Sequence, residues 1–161
     1  LTMKSGHEKL GELIKDIRIA MLTTVEPDGT LHTRPLATLR YANDGELWFF
    51  TALDSAKVHE IEEDRRASVT YSDTEDNVYV AVSGTADIVQ DRRKAEELWT
   101  PMAKAWFPKG LDDPELALLR VRIERGEYWD SPGRAAYLFG VAKASMTGQP
   151  TNMGENRKLT M

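Results

Sequence analysis

The residues best suited to chemistry lie between Arg34 and Lys57. Asp54 and Ser55-Ala56-Lys57 open a stretch with helical spacing, with Val58 and Ile61 on its inner side. At a helix start, a hydroxyl, free backbone N–H groups, the positive end of the helix dipole and an ammonium together suit a phosphate. Arg34 adds a planar fork that can hold an anion with two parallel hydrogen bonds. The same residues also read as an ordinary cap, a solvated lysine and a surface arginine, and on residue type alone both readings stand. The three histidines, His7, His32 and His59, fall in different elements. His59 and Glu63 share a helix face at i, i+4, a spacing open to a metal. Metal sites need three or four convergent ligands, so the pair reads as solvated and no metal is expected. No general acid or base stands out.

What is missing narrows the chemistry further. There is no GxGxxG after a strand, no Walker loop and no G-x-S-x-G elbow. Cysteine is absent, which excludes disulfides, thiolate metal sites and thiol nucleophiles and fits a reducing cytoplasm. The chain has 161 residues, 41% of them hydrophobic and 29% charged, the composition of one soluble domain. A net charge of −5 argues against broad nucleic-acid binding, which needs clustered positive charge. Apolar runs such as Val78–Val82 fall far below the ~20 residues of a membrane-spanning helix. The N-terminus lacks the apolar core of a signal peptide, so a cytoplasmic location is expected.

The elements that must position these residues follow from spacing. Ser5 and Glu8 form a capping box before Leu10, Leu13, Ile14 and Ile17, predicting a helix from about His7 to Ile17. Strands are expected over Ile19–Val25, Leu31–Tyr41 and Leu47–Ala52. Turns at Glu26-Pro-Asp-Gly29 and Asn43-Asp-Gly45 make two consecutive hairpins of them, a meander. Pro35 marks an edge or a distortion in the second strand. Leu47–Ala52 is apolar on both faces, which calls for cover by helices or by a second subunit. Strands over Ala67–Ser72, Val78–Val89 (with Gly84 a candidate bulge) and Leu119–Trp129 complete the set. A helix after Asp91 is interrupted by Pro101, with Thr100 as a new cap. Ala135–Met146 reads as a last helix. The expected fold is α+β, a small antiparallel six-stranded split β-barrel with flanking helices. It forms a single domain over 1–146, with 147–161 a flexible C-terminal tail.

The order Thr33-Arg34-Pro35-Leu36, Leu47-Trp-Phe-Phe-Thr51, Ser55-Ala-Lys57 and Ile61 resembles the FMN-binding split barrel of the pyridoxamine 5′-phosphate oxidase-like superfamily. Trp99, Trp106-Phe-Pro108, Leu119-Leu-Arg-Val121 and Glu127-Tyr-Trp-Asp130 are similar to its bacterial general stress protein branch. The resemblance spans roughly Leu10 to Asp130. It implies FMN as cofactor, with Arg34, Ser55 and Lys57 toward its phosphate. Pro35, Leu36, Ala37 and Thr38 would run beside the ring, together with Phe50 and Thr51. It further implies a homodimer with FMN at the subunit interface and a ring-flanking tryptophan from the partner, Trp129 before Trp106. The activity implied is that of a flavin-dependent oxidoreductase, with NAD(P)H or another small molecule as redox partner. The alternative is a non-enzymatic FMN-binding stress or sensor module; a related barrel holding a deazaflavin or haem is a third reading. Two departures from the oxidases stand out. Ala56 replaces a second basic residue, and after Trp129 only Arg134 is available, with no histidine. Vitamin B6 oxidation is therefore not expected.

Overall fold

The computed structural model describes residues 4–132, 134–150 and 154–161. Helix α1 (Gly6–Ile14) begins where Ser5 Oγ accepts from the Glu8 N–H at 3.2 Å, and it buries Leu10 and Ile14. It stops one turn earlier than the apolar spacing predicts, because Ile17 packs on the core from the turn that enters the first strand. The chain continues through β1 (Ile19–Val25), β2 (Leu31–Ala37), β3 (Glu46–Ala52), α2 (Ala56–Glu63), β4 (Arg66–Asp73), β5 (Val78–Val89) and α3 (Arg92–Leu98). Two short 3-10 turns follow, then β6 (Leu116–Asp130), α4 (Arg134–Thr147) and β7 (Glu155–Leu159). Thr100 and Pro101 restart the chain as a 3-10 turn after α3, as the proline requires. Among the described residues no helix is long and apolar enough to cross a membrane.

The strands form one antiparallel sheet in the order β2-β1-β4-β5-β6-β3, with β7 also on β6. The sheet curls into a split barrel flanked by helices. β1 and β2 make the expected hairpin. The second expected hairpin does not form: β3 pairs with β6, at the opposite end of the sheet from β2. β2 ends at Ala37, and the connection closes the barrel, with Leu39 N–H donating to Trp48 O at 3.0 Å. Turn residues at Asn43 and Gly45, both at positive φ, reverse the chain but do not choose its partner strand. Pro35 is tolerated because β2 is the edge strand.

The double-sided burial of β3 has an intramolecular cause. Leu47 and Phe49 enter the main core beside Leu22, Val69, Tyr71 and Leu119. Trp48, facing the other way, packs with Ala95 and Leu98 of α3 and with Leu118. Its ring also lies under Lys94 Nζ at 5.1 Å and the Arg120 guanidinium at 5.5 Å. A helix of the same chain thus covers this face, and it needs no second subunit.

The stretch expected to be a flexible C-terminal tail contains a strand. Glu155–Leu159 forms a strand against Gly126–Asp130, and Leu159 is buried. β3 occupies only the Leu116–Arg122 part of the long β6, which leaves the rest of that edge for β7. The bulge expected at Gly84 is present as a register shift between Ser83 and Gly84.

Candidate functional site

Alternation along β2 turns His32, Arg34 and Leu36 inward and leaves Leu31, Thr33, Pro35 and Ala37 exposed. Thr24 lies opposite His32 in the β1–β2 register. Helix α2 covers this end of the barrel and directs Glu60 at the same group. Arg34 Nη1 donates to Thr24 Oγ1 at 2.6 Å, and Nη2 donates to Glu60 Oε2 at 2.6 Å and to His32 Nδ1 at 2.9 Å. Thr24 also donates to Glu60 Oε2. Glu60 is only 6% exposed, a position a carboxylate holds only when paired. Burial works to raise its pKa, but the hydrogen bonds from Thr24 and Arg34 and the Arg34 charge outweigh that and keep it below the usual carboxylate range.

One turn earlier on α2 stand Ser55 and Lys57. The Ser55 hydroxyl does not cap its own helix; it lies 3.3 Å from the buried Thr51 Oγ1. Lys57 is half-buried and makes no ion pair among the described residues. Burial pushes its pKa down, the Arg34 charge pushes it further, and Glu60 and Asp54 act against both. Two cations within electrostatic reach of each other, the Thr51 and Ser55 hydroxyls and the start of α2 thus lie at this end of the barrel, residue types that suit a compact dianion such as a phosphate monoester.

The other expected site residues divide into two groups. Leu36 packs on the core, and Thr38 Oγ1 lies 2.9 Å from the Tyr71 hydroxyl. Pro35 and Ala37 present backbone and small side chains on the exposed face. The Phe50 ring meets Trp99 and Phe107 edge-on at 5.6 and 6.4 Å, which fixes its orientation beside the partly exposed end of β3. Neither tryptophan expected beside the ring joins the cluster within one chain. Trp106 is 72% exposed. Trp129 lies near the far end of β6 from Ala117, the register partner of Thr51, and lines a separate hollow with Asn77, Tyr79, Ser131 and Tyr137. Gly133 and the side chain of Arg134 lie outside the described residues.

The sequence reading missed Glu60, His32 and Thr24. The signal was present in part: His32 and Arg34 are two apart on one strand, and Glu60 lies beside Ile61 on the inner face of α2. His59 and Glu63 are both exposed, as a solvated pair should be. Glu26, His32 and Glu60 bring ligand atoms within 4.8 Å of one another. Arg34 Nη2 already bonds two of those three side chains, so the cation held there is the guanidinium.

Residues 5–152 match the family described as pyridoxamine 5′-phosphate oxidase like. The chain is similar to protein bli-3 of Neurospora crassa, 27% identical over 94% of this chain and 78% of that protein. Among solved structures it resembles a putative general stress protein 26 from Jannaschia sp. CCS1, with 30% identity, a TM-score of 0.77 and 96% of both chains covered. It also resembles the general stress FMN/FAD binding protein of Xanthomonas citri, with 30% identity and a TM-score of 0.67 over 77% of this chain and 87% of that one.

Proposed function

Because the chain belongs to the pyridoxamine 5′-phosphate oxidase-like family, we propose that it is a cytoplasmic FMN-binding flavoprotein of the general stress type. In this reading it serves as a flavin-dependent oxidoreductase. The carrying observation is Lys57, half-buried and without a counter-ion among the described residues, beside Arg34 and Ser55 at the start of α2. Those three residues would hold the phosphate. The backbone of Pro35–Thr38 and of Phe50–Thr51 would border the ring. Bound FMN supplies hydride and electron transfer. The chain's own residues bind and orient it and set the charge around it.

A homodimer is part of this reading, with Trp129, or else Trp106, reaching the partner's flavin. Ile19, Met21 and Leu31, exposed on the outer side of the β1–β2 hairpin, support a further subunit contact. Sedimentation at micromolar concentration is expected to show a dimer without monomer, its interface above ~2,000 Å² in total. A stable monomer that holds flavin would remove the shared site.

A non-enzymatic module is the second reading. It is favoured by one observation: Glu60, an acid one turn from Lys57, is already engaged by Thr24 and Arg34. Turnover separates the two. The flavin-loaded protein is expected to accept electrons from NADH or NADPH faster than free FMN does; an equal rate favours the module. Under air it is expected not to turn over pyridoxine or pyridoxamine 5′-phosphate, because Arg34 and Lys57 are committed to FMN. Turnover of about 1 per second or more on either would mean that a second phosphate clamp exists.

A further inference from the structure

We infer that Glu60 is a built-in rival of the ligand phosphate for Arg34, and so sets how strongly the site prefers a phosphorylated flavin to an unphosphorylated one. The inference rests on the flavin reading above.

Its basis is the donor arithmetic of one guanidinium. Arginine carries five N–H groups, and it grips an oxyanion with two hands along either of two edges, Nη1 with Nη2 or Nε with Nη2. Both edges include Nη2. Here both Nη2 hydrogens are committed, one to Glu60 Oε2 at 2.6 Å and one to His32 Nδ1 at 2.9 Å. Nη1 gives one of its two hydrogens to Thr24 Oγ1 at 2.6 Å. What remains free, Nε–H and one Nη1–H, lies on different edges. A two-handed grip on phosphate therefore requires Nη2 to release Glu60 or His32.

The surroundings make Glu60 the stronger rival. Its carboxylate bears a full charge and is buried, and Thr24 anchors the oxygen that Arg34 contacts. His32 is the weaker one. Its Nδ1 lies within 3.4 Å of Glu26 Oε1 and 3.2 Å of Glu60 Oε1 as well as 2.9 Å from Arg34. A single nitrogen cannot accept from the guanidinium and donate to a carboxylate at once. Glu60 also places a negative charge one turn from Lys57, where it opposes an incoming phosphate directly. It acts through Arg34 and Lys57, and it is a positioning residue rather than a ligand.

The test compares FMN and riboflavin, by fluorescence titration, on the full-length wild type and on Glu60→Gln. Glutamine keeps an acceptor for Arg34 and removes the charge. FMN is expected to bind about tenfold tighter to Glu60→Gln, with riboflavin unchanged. In an Arg34→Gln background most of that gain should vanish. Equal or weaker FMN binding by Glu60→Gln would overturn the inference, since Glu60 would then aim Arg34 at the phosphate. A gain shared by riboflavin would overturn it too. Wild type that binds neither flavin overturns the flavin reading itself and this one with it. Should Glu60→Gln unfold without ligand, FMN but not riboflavin is expected to restore it, because the phosphate replaces the missing anion. Rescue by both flavins, or by neither, contradicts the inference.

Discussion

Lys57→Ala is expected to weaken FMN binding by one to two orders of magnitude and to leave riboflavin binding nearly unchanged. A charge-assisted bond to phosphate contributes roughly 1.5–3 kcal/mol, and each ~1.4 kcal/mol is tenfold in affinity. Lys57 lies beside Arg34 without an ion pair among the described residues, so the variant leaves no buried carboxylate exposed to a lost partner. The fold should be indifferent to it. Isothermal titration with the two flavins isolates the phosphate contribution. Equal losses for FMN and riboflavin would show that Lys57 supports the ring or the fold instead.

Gly84→Ala is expected to be the most damaging small substitution in the sheet. A Cβ at this bulge would lie 1.8 Å from the Arg122 carbonyl oxygen and 2.9 Å from its carbon, both backbone atoms of the neighbouring strand. No rotamer relieves that contact; β5 and β6 must separate where the register shifts. The cost should reach about 3 kcal/mol, or a melting temperature lower by roughly 10 °C for a chain of this size. Gly29→Ala is the control. Its Cβ would meet nothing within 4 Å, and only the positive φ of 86° opposes it. The expected loss there is ~1 kcal/mol. Similar melting temperatures for the two variants would mean that the bulge can flatten without breaking the pairing.

The parts of the fold that were legible in sequence are those set by local rules. Ser5 and the Leu10–Ile14 stripe announced α1, a β-rich apolar run announced β5, the alternation of Leu119, Val121 and Ile123 announced β6, and Gly84 announced the bulge. The residues proposed to hold the phosphate were only half legible, because a hydroxyl and a lysine at a helix start also make an ordinary cap; the order of Arg34, Thr51, Ser55 and Lys57 along the chain, through its resemblance to the FMN-binding split barrel, singled them out. Illegible parts depend on partners far along the chain. Nothing in Asn43-Asp-Gly45 says that β3 will pair with β6 rather than β2. Glu155-Asn-Arg-Lys-Leu159 has one buried apolar residue, too little periodicity to announce a strand; it forms because β6 outruns β3 and leaves an edge to pair. The apolar outer face of β3 announced a cover but not which one, helix or second subunit, because α3, forty residues downstream, supplies it. Glu60 escaped notice for the same reason, since the identity of its partner depends on β2 lying beneath α2.

The crystal structure of the protein with FMN tests the central claim most directly. The phosphate is expected at the start of α2, with Lys57 Nζ and Ser55 Oγ each about 3 Å from its oxygens and Arg34 turned toward it. The ring should run along Leu36–Thr38 and Phe50–Thr51, with a tryptophan of the partner subunit over its outer face. A flavin whose phosphate lies away from Lys57, for example in the hollow lined by Tyr79, Trp129 and Tyr137, would contradict the account, as would crystals grown in excess FMN that hold no flavin.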